Sequence, residues 1–202
     1  MQQNIRESIR HTWDLESKEI ARLADTVDEE VMEAIIRKIA GCQGKIILTG
    51  CGTSAMAARK IMHSLRVIDI PALFLNPADA VHGGLGVVQK EDIVIFLSKG
   101  GNTAELLSFL DNVKQKQAFV IAVSENEDSK LIRGSDLYLK VKIEREPDRY
   151  DMLATASTLA VIAVFDAICI ALMEEKSFSK ESFALNHPGG AVGERLKDHK
   201  KQ

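Results

Sequence analysis

A chain of 202 residues, 46% of them hydrophobic and with a net charge of −3, is long enough to bury a core and too apolar to be disordered as a whole. The same charge balance argues against nucleic acid as the main partner, because a phosphate backbone is bound by an excess of Lys and Arg. Its three cysteines, Cys42, Cys51 and Cys169, lack metal-ligand spacing and no secretory leader is evident, so reduced thiols in a cytoplasmic protein are expected.

Apolar residues recur at helical spacing through residues 3–40, among them Ile9, Trp13, Ile20, Leu23, Val31 and Ile35, which predicts one or two leading helices. Strands and helices then alternate. Lys45–Thr49 reads as a strand and Thr53–Leu65 as a helix; Ala72–Asn76 is a strand, followed by a short helical piece at Pro77–His82. Ile93–Ser98 is a strand, Asn102–Lys116 a helix and Phe119–Val123 a strand. A brief helix at Ser129–Arg133 precedes the last strand, Leu137–Val141. Leu153–Met173 is long and apolar enough to cross a bilayer, but Asp166 and the admixture of Ala, Ser and Thr favour a buried helix and no membrane span.

The strands are Ile/Val/Leu runs without alternation, the pattern of a parallel sheet buried on both faces. The fold class is therefore α/β, a five-stranded doubly wound parallel sheet behind leading helices at 1–40, with its ligand site beyond the carboxyl ends of the strands. Glu144–Asp151 is the longest charged loop, and the tail after Lys197 is expected to fray.

Two strand-to-helix turns carry the chemistry: Gly50-Cys51-Gly52-Thr53-Ser54 and Ser98-Lys99-Gly100-Gly101-Asn102-Thr103. Each offers hydroxyls, backbone N–H groups and the positive end of a helix, and two such turns on parallel strands can converge on one phosphate. Gly50-x-Gly52-x-x-Ala55 is also compatible with a dinucleotide fingerprint. That reading requires an acidic residue at the end of the second strand, where this chain has Asn76-Pro77. Glu105 complements a helix dipole as readily as it serves chemistry, and Cys51, with no base beside it, is best read as a packing residue. His11 and His63 lie on predicted helices and His199 in the tail. His82 and His187 instead sit in Gly-rich loops, where a group titrating near neutrality can move protons.

Cys51-Gly52-Thr53-Ser54, the Ser98–Thr103 turn with Glu105, and Phe183-Ala184-Leu185-Asn186-His187-Pro188-Gly189-Gly190-Ala191-Val192-Gly193 together resemble the sugar isomerase (SIS) domain, over about Lys45 to Leu196. The Asp79–Gly86 loop and the closing segment are most similar to its arabinose 5-phosphate isomerase branch. Members of that branch commonly carry a pair of cystathionine-β-synthase-type (CBS) modules after this domain, so the chain looks like a single-domain form, 41–197, with a tail at 198–202. The resemblance implies a three-layer, flavodoxin-like sandwich and aldose–ketose interconversion of a pentose 5-phosphate through a cis-enediol, with no redox cofactor and no obligatory metal. It implies a homo-oligomer, a dimer or tetramer, with shared sites. Carried over, Ser54, Ser98 and Thr103, with Gly52, Thr53, Lys99, Gly100 and Asn102 around them, would hold the phosphate. His82, Glu146 and His187 would handle ring opening and proton transfer, Glu146 or His187 as the base and His82 at the sugar oxygens. His187, near the domain's end, would complete a neighbouring subunit's site.

The chain departs from the classical pattern in two places. Thr53 stands where those isomerases have Lys, and Gly100-Gly101-Asn102 stands where they have Ser-Gly-Glu. Gly-rich turns without the lysine also occur in relatives that sense sugar phosphates or bind amino sugars. A non-catalytic sugar-phosphate sensor is therefore the alternative in a different class, and an isomerase of another sugar phosphate is a further one.

Overall fold

The computed structural model describes residues 4–189. The closing motif beyond Gly189 and the tail at 198–202 lie outside the described residues. The chain opens on two helices, α1 (Ile5–Thr26) and α2 (Glu29–Ala40). Asp28 separates them: its carboxylate accepts from the N–H groups of Glu30 and Val31 and starts α2. Five strands follow, β1 (Ile46–Gly50), β2 (Ala72–Phe74), β3 (Ile93–Leu97), β4 (Phe119–Ser124) and β5 (Leu137–Lys140). Between and after them lie α3 (Gly52–Val67), α4 (Pro77–Ala80), α5 (Ala104–Gln115), α6 (Lys130–Arg133), α7 (Ala156–Glu175) and α8 (Lys180–Asn186), with one 3-10 turn at Gly84–Val87.

All strands are parallel, in the order β2-β1-β3-β4-β5. The doubly wound α/β expectation therefore holds. Alternate strand residues face opposite layers. Ile46, Leu48, Ile93, Ile95, Ile121 and Leu139 pack with α3, α7 and the leading helices, while Ile47, Val94, Phe96, Val120 and Ala122 pack with α5 and α6. Because the order reverses direction between β1 and β3, the chain passes to different faces after these two strands. A crevice opens between their carboxyl ends.

Some boundaries shift for local reasons. β2 stops before the expected Asn76 because that side chain accepts from the Ala78 N–H and starts α4. α5 starts at Ala104, after Asn102, whose amide is tied to the Gly100 carbonyl and the Lys130 N–H. Gly101 just before it has φ +65°, and a Cβ there would lie 2.2 Å from the Ser129 hydroxyl oxygen, so both space and conformation demand glycine. α8, opened by the Ser179 hydroxyl accepting from the Ser182 N–H, was not expected from the sequence.

α7 is the one described helix long and apolar enough to cross a membrane. In the structure it packs against α1, α2 and α3. Ala160, Val164, Ile168 and Leu172 are buried on that face, and Asp166 pairs with Lys60 on α3. At the amino edge of the sheet, the buried Asp92 carboxylate accepts from Lys45 Nζ (2.7 Å), the Lys45 N–H (2.9 Å) and the Gln89 N–H (2.7 Å), which stitches β1 to the start of β3.

Candidate functional site

Where β1 and β3 end, a cavity of about 70 Å³ is lined by Thr53, Ser54 and Ala57 of α3, by Leu97, Ser98 and Lys99 at the end of β3, by Val123 and Ser124, by Val141, and by Ala154, Ser157, Thr158 and Val161 around the start of α7. Six of these residues carry hydroxyls: Thr53, Ser54, Ser98, Ser124, Ser157 and Thr158. Lys99 is the one cation, and no carboxylate lines the cavity among the described residues. Small hydroxyl donors around a single cation are suited to an oxyanion.

The α3 end is built to stay open. Cys51, its N-cap residue, makes no side-chain capping bond, so the first N–H groups of α3 are left for a ligand or water. Gly52 there has φ +56°, although a Cβ would meet nothing within 4 Å. The backbone turn, rather than crowding, requires glycine. Burial, and then the Glu105 carboxylate, push the Cys51 thiol upward, which does not favour a thiolate nucleophile.

The turn after β3 is held from behind. Ser98 Oγ accepts from the Gly101 N–H (3.1 Å) and lies 2.8 Å from the Thr103 hydroxyl. The Lys99 carbonyl accepts from Ser124 Oγ (2.8 Å) and the Glu125 N–H (3.0 Å). The α7 end is closed by a carboxylate. Glu146 is fully buried; Oε2 accepts from the N–H groups of Thr155 (3.1 Å) and Ser157 (3.3 Å), and Oε1 from the Ser157 hydroxyl and Lys99 Nζ (3.1 Å). Burial opposes its ionisation, but the bonds from Ser157, Thr155 and Lys99 outweigh it and hold the carboxyl below the ordinary 4.5.

Of the residues singled out from the sequence, Thr53, Ser54, Ser98 and Lys99 line the cavity together, and Gly52 adjoins it at the start of α3. Gly100, Asn102 and Thr103 do not line it. Thr103 acts on Ser98, and Asn102 is turned toward α6. The two turns do meet, Thr53 and Ser54 of the first beside Ser98 and Lys99 of the second, and the start of α7 rather than that of α5 completes the cavity. Ser124, Ser157 and Thr158 were missed, although the Thr155-Ala156-Ser157-Thr158 run at the head of an apolar helix was the available signal.

Glu146 reaches the cavity through Lys99 and Ser157. His82 is exposed beyond α4, at the sheet's carboxyl edge but outside the lining. His187 is elsewhere. Its ring stacks on Phe183 (4.6 Å, 11°), and Asn186 beside it donates to the Val67 carbonyl (3.0 Å) and Asp69 Oδ1 (2.7 Å), past the far end of α3. A roomier, open cleft of about 500 Å³ lies at the amino edge of the sheet. It mixes Arg37, Lys38, Lys90 and Lys114 with Glu91, Asp92 and Asp136.

Residues 39–171 match the profile of the SIS domain. The chain belongs to the SIS domain family. This SIS domain is 32% identical over 189 residues to arabinose 5-phosphate isomerase KdsD of Pseudomonas aeruginosa, covering 94% of this chain and 58% of that protein. It is 33% identical over 187 residues to arabinose 5-phosphate isomerase GutQ of Salmonella typhi, covering 93% and 58%. The chain thus spans less than two thirds of the length of these curated relatives. Among solved structures, a Listeria monocytogenes protein provisionally described as a sugar-phosphate isomerase superposes with TM-score 0.91 at 49% identity, over 94% of this chain and 99% of that one. An Escherichia coli CFT073 protein solved in complex with arabinose 5-phosphate superposes with TM-score 0.87 at 31% identity, over 92% and 100%.

Proposed function

We propose that this SIS domain is a phosphosugar aldose–ketose isomerase that interconverts D-arabinose 5-phosphate and D-ribulose 5-phosphate through a cis-enediol. The observation that carries the reading is the cavity between β1 and β3, where an uncapped helix start, Ser54, Ser98 and one ammonium converge. The relatives named as arabinose 5-phosphate isomerases supply the sugar. Phosphate held there, with Ser54 and Ser98 donating and Thr103 steadying Ser98, would orient a flexible sugar whose reacting carbons lie some bonds away.

The chemistry moves a proton between C2 and C1 and requires a base over those carbons and a donor to the sugar oxygens. His82, exposed on the carboxyl edge, is assigned to the oxygens. For the base, His187 of a second copy is favoured over Glu146, because each Glu146 oxygen already accepts two hydrogen bonds and the carboxylate is held in its weakly basic form. A homo-oligomer with shared sites is part of the proposal, since the chain's own His187 lies past the far end of α3.

A second reading, a non-catalytic sugar-phosphate sensor, is favoured by one observation: Thr53 and Asn102 bring neither a cation nor a carboxylate to the cavity. Incubating the protein with ribulose 5-phosphate and following the aldose by NMR separates the two. Conversion supports the isomerase, whereas tight binding without conversion establishes the sensor.

A further inference from the structure

Lys99 and Glu146 form an unequal pair. The Lys99 side chain is 43% exposed while that of Glu146 is 0% exposed. The lysine backbone is pinned through its carbonyl by Ser124 and Glu125, so the side chain alone is free to swing. Glu146 does not depend on it. Without Lys99 the carboxylate keeps the Ser157 hydroxyl, two N–H groups and the positive end of α7. A doubly charged phosphate ester in the adjoining cavity would have no other cation among the described lining residues.

Resting on the phosphate-ester reading of this cavity, we propose that Lys99 is the specificity-determining cation of the site: it rests on Glu146 and exchanges that partner for the ligand's phosphoryl group. Glu146 is then a positioning residue that parks the ammonium beside the cavity and fastens the start of α7, and it competes with the ligand for Lys99. Ser157 makes the exchange possible, since its hydroxyl and N–H leave the carboxylate satisfied after the ammonium departs.

The substitution Glu146→Gln isolates the competition. An amide can keep both backbone N–H bonds only by turning its carbonyl oxygen to Thr155 and Ser157, which turns its NH₂ toward the Ser157 hydroxyl and Lys99 and releases the ammonium. The test is calorimetric binding of D-arabinose 5-phosphate and of D-arabinose to the wild type, K99M, K99R, E146Q and K99M/E146Q. K99M should weaken the ester by about tenfold or more, the worth of one charge-assisted hydrogen bond, and leave the free sugar unchanged. K99R should stay within about threefold of the wild type, a fraction of the worth of that bond. E146Q should bind the ester more tightly than the wild type, and that gain should vanish in the double variant.

In the wild type, where folding of a variant is not at issue, adding inorganic phosphate should shift the Lys99 Nζ resonance in NMR. An unmoved resonance, equal losses for ester and sugar in K99M, or weakening by E146Q would each overturn the exchange. Failure of the wild type to bind the ester at all would instead bring down the phosphosugar reading beneath it.

Discussion

The hydroxyls of Ser98 and Thr103 lie 2.8 Å apart, closing the turn between β3 and α5 so that Ser98 Oγ can also accept from the Gly101 N–H. Ser98 is buried, so it cannot swing away to other partners. Replacing Ser98 by Ala removes a cavity hydroxyl and takes one partner from the Gly101 N–H and from the Thr103 hydroxyl, although the Gly101 N–H keeps the Ser98 carbonyl at 3.2 Å. Unfolding in urea should show a loss of about 0.5–1.5 kcal/mol, the net worth of a hydrogen bond whose donor keeps a second acceptor. Affinity for a phosphate ester should fall by about tenfold while that for the free sugar stays level, as expected for one lost hydrogen bond to an anion. Equal losses for both ligands would place the phosphate elsewhere.

Ser54→Ala separates binding from folding more cleanly. The Ser54 hydroxyl lines the cavity at the uncapped start of α3, and no hydrogen bond to another described residue holds it. The variant should melt with the wild type yet bind the ester more weakly. A matching loss of melting temperature would mean that Ser54 serves the helix rather than a ligand.

The strands were legible because parallel sheets buried on both faces demand apolar runs, and Ile46–Leu48, Ile93–Leu97 and Val120–Val123 are such runs. Two cavity walls were legible because Gly, Ser and Thr between a strand and a helix leave hydroxyls and N–H groups at the carboxyl edge of a parallel sheet. The third wall was not. What brings Ser157 and Thr158 beside Ser54 is the packing of α7 along α3, a tertiary fact that no local pattern encodes. Glu146 was legible as a polar residue of interest, but its burial and its capping of α7 depend on the same packing. α8 was missed because seven residues with few apolar positions give little periodicity, although Ser179 ahead of them has the chemistry of a helix start.

Glu146 gives acid sensitivity a definite sign. Its carboxyl is held below 4.5 in the folded chain, so the stabilisation from its ionised form is present above the unfolded value and is lost as pH falls through the folded one. E146Q removes that contribution. Stability measured by urea unfolding should drop on acidification more steeply in the wild type than in E146Q, the difference developing only below about pH 4.5, the ordinary value for the group. Parallel curves would assign the acid sensitivity to other carboxylates.

Asp92 supplies a control remote from the cavity. It is 1% exposed and holds three donors at the amino edge of the sheet. Asp92→Ala strands Lys45 and two N–H groups and should cost about 3–5 kcal/mol in denaturant unfolding, the size expected for breaking a buried ion pair from one side. The molecules that remain folded should bind phosphate esters as the wild type does. A large change in affinity would show that the sheet transmits strain from one edge to the other.

His187 tests whether the site is shared between copies. Asn186 ties the end of α8 to Val67 and Asp69, and α3 carries those residues away from Ser54 by about 20 Å at 1.5 Å per residue. His187 therefore lies far from the cavity of its own chain. His187→Ala should fold normally, because among the described residues its ring only stacks on Phe183, and should lose turnover severely. The double variant S54A/K99M should be inactive for lack of phosphate binding. Co-expressed as differently tagged chains and purified through both tags, the two inactive proteins should recover part of the wild-type turnover. Each mixed assembly then contains a site whose cavity comes from the H187A chain and whose histidine comes from the other. No recovery in mixed assemblies would remove His187 from the shared-site mechanism and return the role of base to Glu146 or to another group.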